Sequence, residues 1–417
     1  MPNDPVVILG FDAVSPLGID FDSQWQKALA GKSGIGPLTR FPLTDDFPVR
    51  IAGEAPPIDH LPHDFLKPRE QARWPSPIFK YALLTVTRAL ERSGLTITPE
   101  LAPRTAITFS SAIGGLDAVL AADRNLMGQG KLPPPFVNPN ACINMVGGKV
   151  SMYTGATGPI SATVTACATG VTSMIVGAML INEGRADVAI CGAVDFPLTE
   201  PIVAGFGTMG GAFMPKEGEV AILPGQASRP FSPSRRGFVI SEGSGCIIIA
   251  KRSFARAHGL DAAAEIAGWA MTADAFHHVA PNPATVRRCI AESIAHAGIP
   301  PDRISAVNAH AASTRVGDQV EAEALRQVFN GRVPPITANK SMIGHAMGAA
   351  SAIESIFAIR GQQDDLLPPT INYTPDPKLA LDSVTTTRQT VDQEYVLKNA
   401  FGFGGCNACV VFRREER

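Results

Sequence analysis

Strand-like and helix-like segments alternate from one end of this 417-residue chain to the other. Alternation of that kind restricts the chain to a layered α/β fold. Val6–Gly10 is a short apolar strand, followed by a turn through Gly18. Ile78–Gly94 has helical spacing, and Arg104–Phe109 is a strand. Ala162–Ala166 is β-rich and runs directly into Cys167. Residues 168–183 have the length of a helix and almost no charge, so burial on every side is expected. Asp187–Gly192 and Gly245–Ala250 are further buried strands. Residues 213–227 read as a long surface loop, and the basic stretch 251–259 as a join between two halves. Ile304–Asn308, Pro335–Asn339 and Val396–Ala400 are strands, with helices from about Asp318 and about Ala349. Cys409–Phe412 could return as an antiparallel neighbour.

The 36 Lys and Arg nearly balance the 38 Asp and Glu, which excludes a strongly basic nucleic-acid binder. No run approaches the ~20 apolar residues of a membrane span, and the N-terminus lacks the features of a signal peptide. Seven scattered cysteines, an odd number, point to reduced thiols and a cytoplasmic setting.

The chemistry lies in a pattern of position. Cys167, His310, His345 and the Phe-Gly-Phe-Gly-Gly turn at 401–405 each follow a short predicted strand. Ligands of α/β sheets bind outside the carboxyl ends of strands, so four such ends can converge on one pocket. Cys167 precedes an apolar helix, whose dipole favours a thiolate and a lowered pKa. By composition alone it reads rather as a small buried hydrophobe; its setting in Thr165-Ala166-Cys167-Ala168-Thr169-Gly170 makes that the lesser reading. His310 and His345 are flanked by small residues that leave the imidazole edges accessible. Each alone is compatible with a core histidine.

Together the three suit acyl transfer, with neutral imidazoles donating hydrogen bonds to an oxyanion or enolate. A Cys/His/His zinc site is the competing use of the same atoms, but no short ligand spacing supports it and no metal is expected. Lys340, five positions before His345, has no role that spacing alone assigns. Asp318 and Glu321 fall in the first turn of a helix, where acids belong. Cys406 and Cys409 form a CxxC with no second pair. The glycine-rich stretches lack the ending of a phosphate loop.

These residues resemble the elongating, decarboxylating β-ketoacyl synthases, or ketosynthases. The resemblance runs through Thr165-Ala166-Cys167-Ala168-Thr169-Gly170, Asn308-Ala309-His310, Lys340-Ser341-Met342-Ile343-Gly344-His345 and Phe401-Gly402-Phe403-Gly404-Gly405. Earlier and intervening matches include Val14-Ser15-Pro16-Leu17-Gly18 and Ser228-Arg229-Pro230-Phe231, so nearly the whole chain is covered. The Cys-His-His set resembles neither the Cys-His-Asn of initiating synthases nor the second Cys of thiolases.

The resemblance implies a thiolase fold: two similar βαβαβ-type halves in a layered αβαβα structure, divided as 1–250 and 251–417. It implies that Cys167 takes an acyl group from an acyl-carrier-protein thioester. The N–H groups of Cys167 and Phe403 would form the oxyanion hole, and Phe403 would gate the acyl pocket. His310 and His345 would support decarboxylation of a malonyl thioester, with Lys340 and Glu354 ordering the network. Thr314, Ala312, Phe401, Gly402 and Gly404 would lie along the pantetheine arm. Ile113, Phe136, Met145 and Phe206 are the acyl-pocket candidates.

No cofactor is expected beyond the phosphopantetheine arm of the acyl carrier protein. A homodimer is implied, with a heterodimer with a ketosynthase-like partner as the alternative. Ala312 stands where the family has a hydroxyl, and Gly210 where it has a basic residue that meets the carrier. A basic patch for an acidic carrier is sought in Lys67, Arg69, Arg73, Arg235 and Arg236. Two other readings stay open: a non-catalytic helper subunit, and an acyltransferase making an ester or amide.

Overall fold

The computed structural model describes residues 4–215 and 222–415. Its main sheet has nine strands: β1 (Val6–Val14), β2 (Thr105–Ser110), β3 (Val188–Asp195), β4 (Gly243–Lys251), β5 (Ala264–Ala273), β6 (Ile304–Asn308), β7 (Ile336–Thr337), β8 (Tyr395–Gly402) and β9 (Cys406–Arg413). The helices that build the layers are α1 (Pro77–Ser93), α2 (Thr169–Asn182), α3 (Pro283–His296), α4 (Arg315–Val328) and α5 (Met347–Asp364).

The strand order β2-β3-β4-β1-β5-β9-β8-β6-β7 repeats one plan on each side of the β1/β5 contact. That contact is brief, pairing Val7 with Glu265 and Ile8 with Ala264. Outward from it, each side has two antiparallel pairings and then a parallel one: β1–β4, β4–β3 and β3–β2 on one side, β5–β9, β9–β8 and β8–β6 on the other. The two halves are therefore alike in topology without sharing a residue-level repeat.

The layers follow from strands that are apolar on both faces. Along β1, Val6 and Ile8 belong to the central core, whereas Val7 and Leu9 belong to an outer one. A sheet covered on both sides requires such uninterrupted apolar runs. The central core holds α2 and α5 between the two sheet halves, through Val171, Met174, Ile175, Ile353, Ile356 and Phe357. One outer core sets Ile78, Phe79 and Ala82 of α1 against β1, β2 and β4. The other sets Val286 and Ile290 of α3 and Leu325 of α4 against β6, β8 and β9. The result is the α-β-α-β-α layering expected of the chain.

Several local expectations change. β1 runs past Gly10 to Val14, because a register shift between Ile8 and Gly10 lets pairing with β4 continue. The turn is confined to Ser15–Gly18, where the two end residues exchange backbone hydrogen bonds. Ala162–Ala166 is not a strand. It passes alongside β2, joined by the Ile107–Ile160 bridge and by the Ser110 hydroxyl, which donates to the Thr163 carbonyl at 2.6 Å. Thr165 satisfies its backbone locally instead: its N–H donates to the Thr169 hydroxyl at 3.0 Å and its carbonyl accepts from the Ala168 N–H at 3.0 Å. The surface loop sought at 213–227 lies in part, at 216–221, outside the described residues.

Candidate active site

Parallel pairing of β6, β7 and β8 brings their carboxyl ends to one edge of the sheet. His310 follows β6, Lys340 and His345 follow β7, and the glycine turn closes β8. Cys167 reaches the same place by another route. It sits in a single 3-10 turn, Ala166–Ala168, just ahead of α2. Ala166 has φ 48°, a left-handed conformation that an L-residue holds only under constraint.

Nε2 of His345 lies 3.1 Å from Sγ of Cys167. The ring of His310 meets that of His345 edge-on at 5.7 Å between centroids, and Phe401 packs against His310 at the same distance. His345 is fixed through its backbone. Its N–H donates to the Val239 carbonyl at 2.7 Å, and its own carbonyl accepts from the Ser241 N–H at 2.9 Å. The Nδ1 atoms of both histidines are buried without a hydrogen-bond partner among the described residues.

Gly402 is required by a close approach. A Cβ there would stand 2.3 Å from the Thr165 carbonyl oxygen and 3.2 Å from the Cys167 nitrogen. Its absence lets β8 press against the loop of Cys167, where the backbone N–H groups of Phe403 and Cys167 favour the charged form of the thiol.

Behind the histidines is a buried ionic network. Lys340 Nζ donates to the His310 carbonyl and to Glu354 Oε1, each at 2.6 Å. Lys398 Nζ donates to the other oxygen, Oε2, at 2.8 Å and to the Asn399 carbonyl at 2.8 Å. One carboxylate thus bridges two buried ammonium groups. Glu321 accepts from the N–H of His310 at 2.9 Å, the N–H of Ala311 at 2.7 Å and the side chain of Asn399 at 3.0 Å.

Burial decides the protonation states. It drives both imidazoles well below the ordinary histidine value, and the neighbouring Lys340 charge pushes the same way. The histidines are neutral at neutral pH. Burial also pushes the Cys167 thiol up to about 11, against the opposing influence of Lys340 and the Phe403 N–H. The lowered thiol pKa expected from the helix N-terminus gives way to desolvation, which costs a buried thiolate more than the dipole returns.

The triad opens into a cavity of about 710 Å³. Ile113, Phe206 and Phe403 line it, as do Ala312, Thr314, Phe401 and Gly402. Phe136 and Met145 do not. Phe136 packs on Trp74 and under the Arg73 guanidinium, and Met145 packs against the outer core beside α1. Gly404 holds a left-handed turn, φ 79°, and its N–H donates to the His278 carbonyl outside the lining. Glu354 and Lys340 lie behind the site rather than in the cavity wall.

Two sequence expectations need correction. Arg235 is no surface cation: it is buried and paired with Asp376 at 2.9 Å. Asp318 and Glu321 are not simple dipole acids. Helix α4 begins at Arg315, which leaves Glu321 in its second turn, and both carboxylates are buried under loop N–H groups. Lys398 and Asn399 escaped the sequence reading altogether. A lysine inside the apolar run Val396–Ala400 is the signal that points to a buried charge partner.

Comparison with known proteins agrees with this architecture. Residues 3–255 match the family model of the β-ketoacyl synthase N-terminal domain, and residues 263–374 that of the C-terminal domain. The chain is 36% identical to 3-oxoacyl-[acyl-carrier-protein] synthase 2 of Staphylococcus aureus (strain COL), over 99% of both chains. It is 35% identical to the protein of the same name from Coxiella burnetii (strain RSA 493 / Nine Mile phase I), over 98% of both. Among solved structures, a β-ketoacyl synthase from Burkholderia phymatum STM815 superposes with a TM-score of 0.90 at 27% identity, covering 99% of this chain and 100% of that one. A type II PKS ketosynthase, solved with its acyl-carrier protein and bound to the hexaketide, superposes with a TM-score of 0.88 at 26% identity and the same coverage. With both halves matched and full-length relatives above 30% identity, the chain belongs to the β-ketoacyl synthase family.

Proposed function

We infer that this chain is a condensing acyltransferase that joins an acyl group to a malonyl unit with loss of CO2, giving a β-ketoacyl thioester on an acyl carrier protein. The observation that carries the reading is the 3.1 Å approach of His345 Nε2 to Cys167 Sγ on the wall of a cavity of about 710 Å³.

In the first step Sγ of Cys167 attacks the carbonyl of an acyl thioester. The thiol proton leaves through His345 to the departing carrier sulfur, and an acyl-Cys167 thioester remains. The N–H groups of Cys167 and Phe403 hold the oxyanion. In the second step a malonyl thioester loses CO2. The electron pair of the broken C–C bond forms an enolate, whose oxygen takes hydrogen bonds from the neutral His310 and His345. The enolate carbon attacks the acyl carbonyl, the C–S bond to Cys167 breaks with its electron pair on the sulfur, and the thiolate takes a proton from solvent. Neutral imidazoles suit this work because they donate without adding a charge that would have to be desolvated. Lys340 and Glu354 order the loop of His310.

Ile113, Phe206 and Phe403 line the acyl end of the cavity, and Thr314, Ala312 and Phe401 its pantetheine end. The protein needs no cofactor of its own on this reading, because the phosphopantetheine arm comes with the carrier. An acidic carrier meets a surface that includes Lys67, Arg69, Arg73 and Arg236. A homodimer is the proposed assembly. Met127, Leu132 and Met152, apolar yet exposed on the segment 116–154, support a second copy there. Seven free cysteines support a reducing, cytoplasmic setting, and no helix among the described residues is long and apolar enough to cross a membrane.

The test is intact-mass analysis after incubation with acyl-carrier thioesters of graded length, followed by malonyl carrier protein. An acyl adduct on Cys167 alone and a product formed with loss of CO2 are expected. No adduct across the panel, activity only after mixing with a ketosynthase-like second chain, or an ester or amide formed without CO2 would overturn the reading.

A further inference from the structure

Asp195, at the end of β3, is fully buried and has no place in the reaction described above. Its carboxylate gathers donors from two separate segments. Oδ1 accepts from the Ser111 hydroxyl at 2.6 Å and from the Ile113 N–H at 2.9 Å. Oδ2 accepts from the Ala112 N–H and the Ala349 N–H, each at 3.2 Å. The Ser111 hydroxyl also accepts from the Gly114 N–H at 2.7 Å, which closes the loop 111–114 on itself.

Both segments form cavity wall. Ala112 and Ile113 line it from one side, and Met347, at the start of α5 and two residues past His345, lines it from the other. Nothing else can fill the junction: a Cβ at Gly348 would meet Asp195 Oδ2 at 2.8 Å and the Ala112 Cβ at 3.0 Å.

We propose that Asp195 is a positioning residue that sets the width of the acyl pocket by holding the Ala112–Ile113 loop against the start of α5. The assignment rests on the acyl-transfer reading of the cavity. Burial raises the carboxyl against the opposing pull of the Ser111 hydroxyl and the loop N–H groups, and the balance lies at about 6, so at neutral pH it is ionised and accepts from all four donors. An amide in its place has one accepting oxygen, so its NH2 faces N–H or O–H donors at one of the two positions. The loop or the helix start must then move. The side chains that move are Ala112, Ile113 and Met347, not the groups that carry the reaction.

The test is Asp195→Asn, with Ser111→Ala as a milder second variant that removes one donor and keeps the carboxylate. Full-length wild type and variants are acylated with carrier thioesters of graded length, and adducts are read by intact mass. Decarboxylation of malonyl carrier protein by the unacylated enzyme is measured in parallel. Expected is a shift in preference between neighbouring chain lengths of about tenfold, the scale on which a pocket discriminates a methylene. Ser111→Ala shifts it the same way by less, and decarboxylation stays within about twofold. An unchanged length profile in either folded variant, or an equal loss at every length together with decarboxylation, overturns the proposal. If Asp195→Asn does not fold, Ser111→Ala alone decides it. A wild type that takes no acyl group on Cys167 overturns the acyl-transfer reading itself.

Discussion

Nε2 of His345 and Sγ of Cys167 stand 3.1 Å apart although one residue follows β7 and the other precedes α2, in opposite halves of the chain. The pair is buried, so its chemistry is that of a neutral thiol beside a neutral imidazole. With the thiol at about 11, its thiolate fraction rises about tenfold per pH unit through the neutral and mildly alkaline range. Alkylation of Cys167 by iodoacetamide should therefore keep accelerating from pH 7 to pH 9. A rate that levels off near pH 6 to 7 would reveal a thiolate–imidazolium pair and refute this assignment.

The histidines also tie stability to pH. Both are held well below their ordinary value of 6.5 in the folded state. Above 6.5 they are neutral whether the chain is folded or not, and they have no influence on stability. Below 6.5 the unfolded chain takes up protons that the folded chain refuses, so the two histidines lower stability progressively as pH falls toward the folded values. Denaturant midpoints between pH 7.5 and 5 should fall less for a His310→Asn, His345→Asn double variant than for the wild type. Equal slopes would contradict the buried-neutral assignment.

Glu354 bridges Lys340 and Lys398 with one oxygen to each. Removing one member of a buried ion set leaves uncompensated charge, which costs about 3–5 kcal/mol. Glu354→Gln should lower unfolding free energy by about that much in urea titrations. A change below about 1 kcal/mol, the scale of an exposed pair, would mean that water reaches the network.

Gly402→Ala places a Cβ where the Thr165 carbonyl oxygen stands, at 2.3 Å. The clash falls on backbone, which has little room to yield. Acyl-Cys167 formation should drop by about two orders of magnitude, since displacing a reacting group by about 1 Å costs that much. Gly404→Ala, where a Cβ meets nothing within 4 Å but must hold φ 79°, should be far milder. Similar losses in both would separate acylation from the Gly402 contact.

Much of this was legible in the residues. The alternation of strands and helices gave the layered fold, and the uncharged helix after Cys167 is α2, packed in the central layer. Cys167, His310 and His345 were recognisable by motif, and the structure brings them into one cavity wall. Phe136 and Met145 were not legible as residues of other contacts, because an aromatic or methionine carries no mark of which wall it faces. Arg235 looked like a surface cation until Asp376, far away in sequence, was found beside it.

What the sequence determined by itself is local: strand and helix periodicity, turn glycines, and the types of reactive group at their ends. Those depend on the chemistry of neighbours along the chain. Tertiary structure alone decided which of these groups are neutral, which carboxylates accept from which loops, and where the cavity runs. Desolvation and hydrogen bonding depend on everything packed around an atom: Cys167 meets His345 and Asp195 meets Ala349 from the other half of the chain, and Glu354 meets Lys398, 44 residues away along the chain.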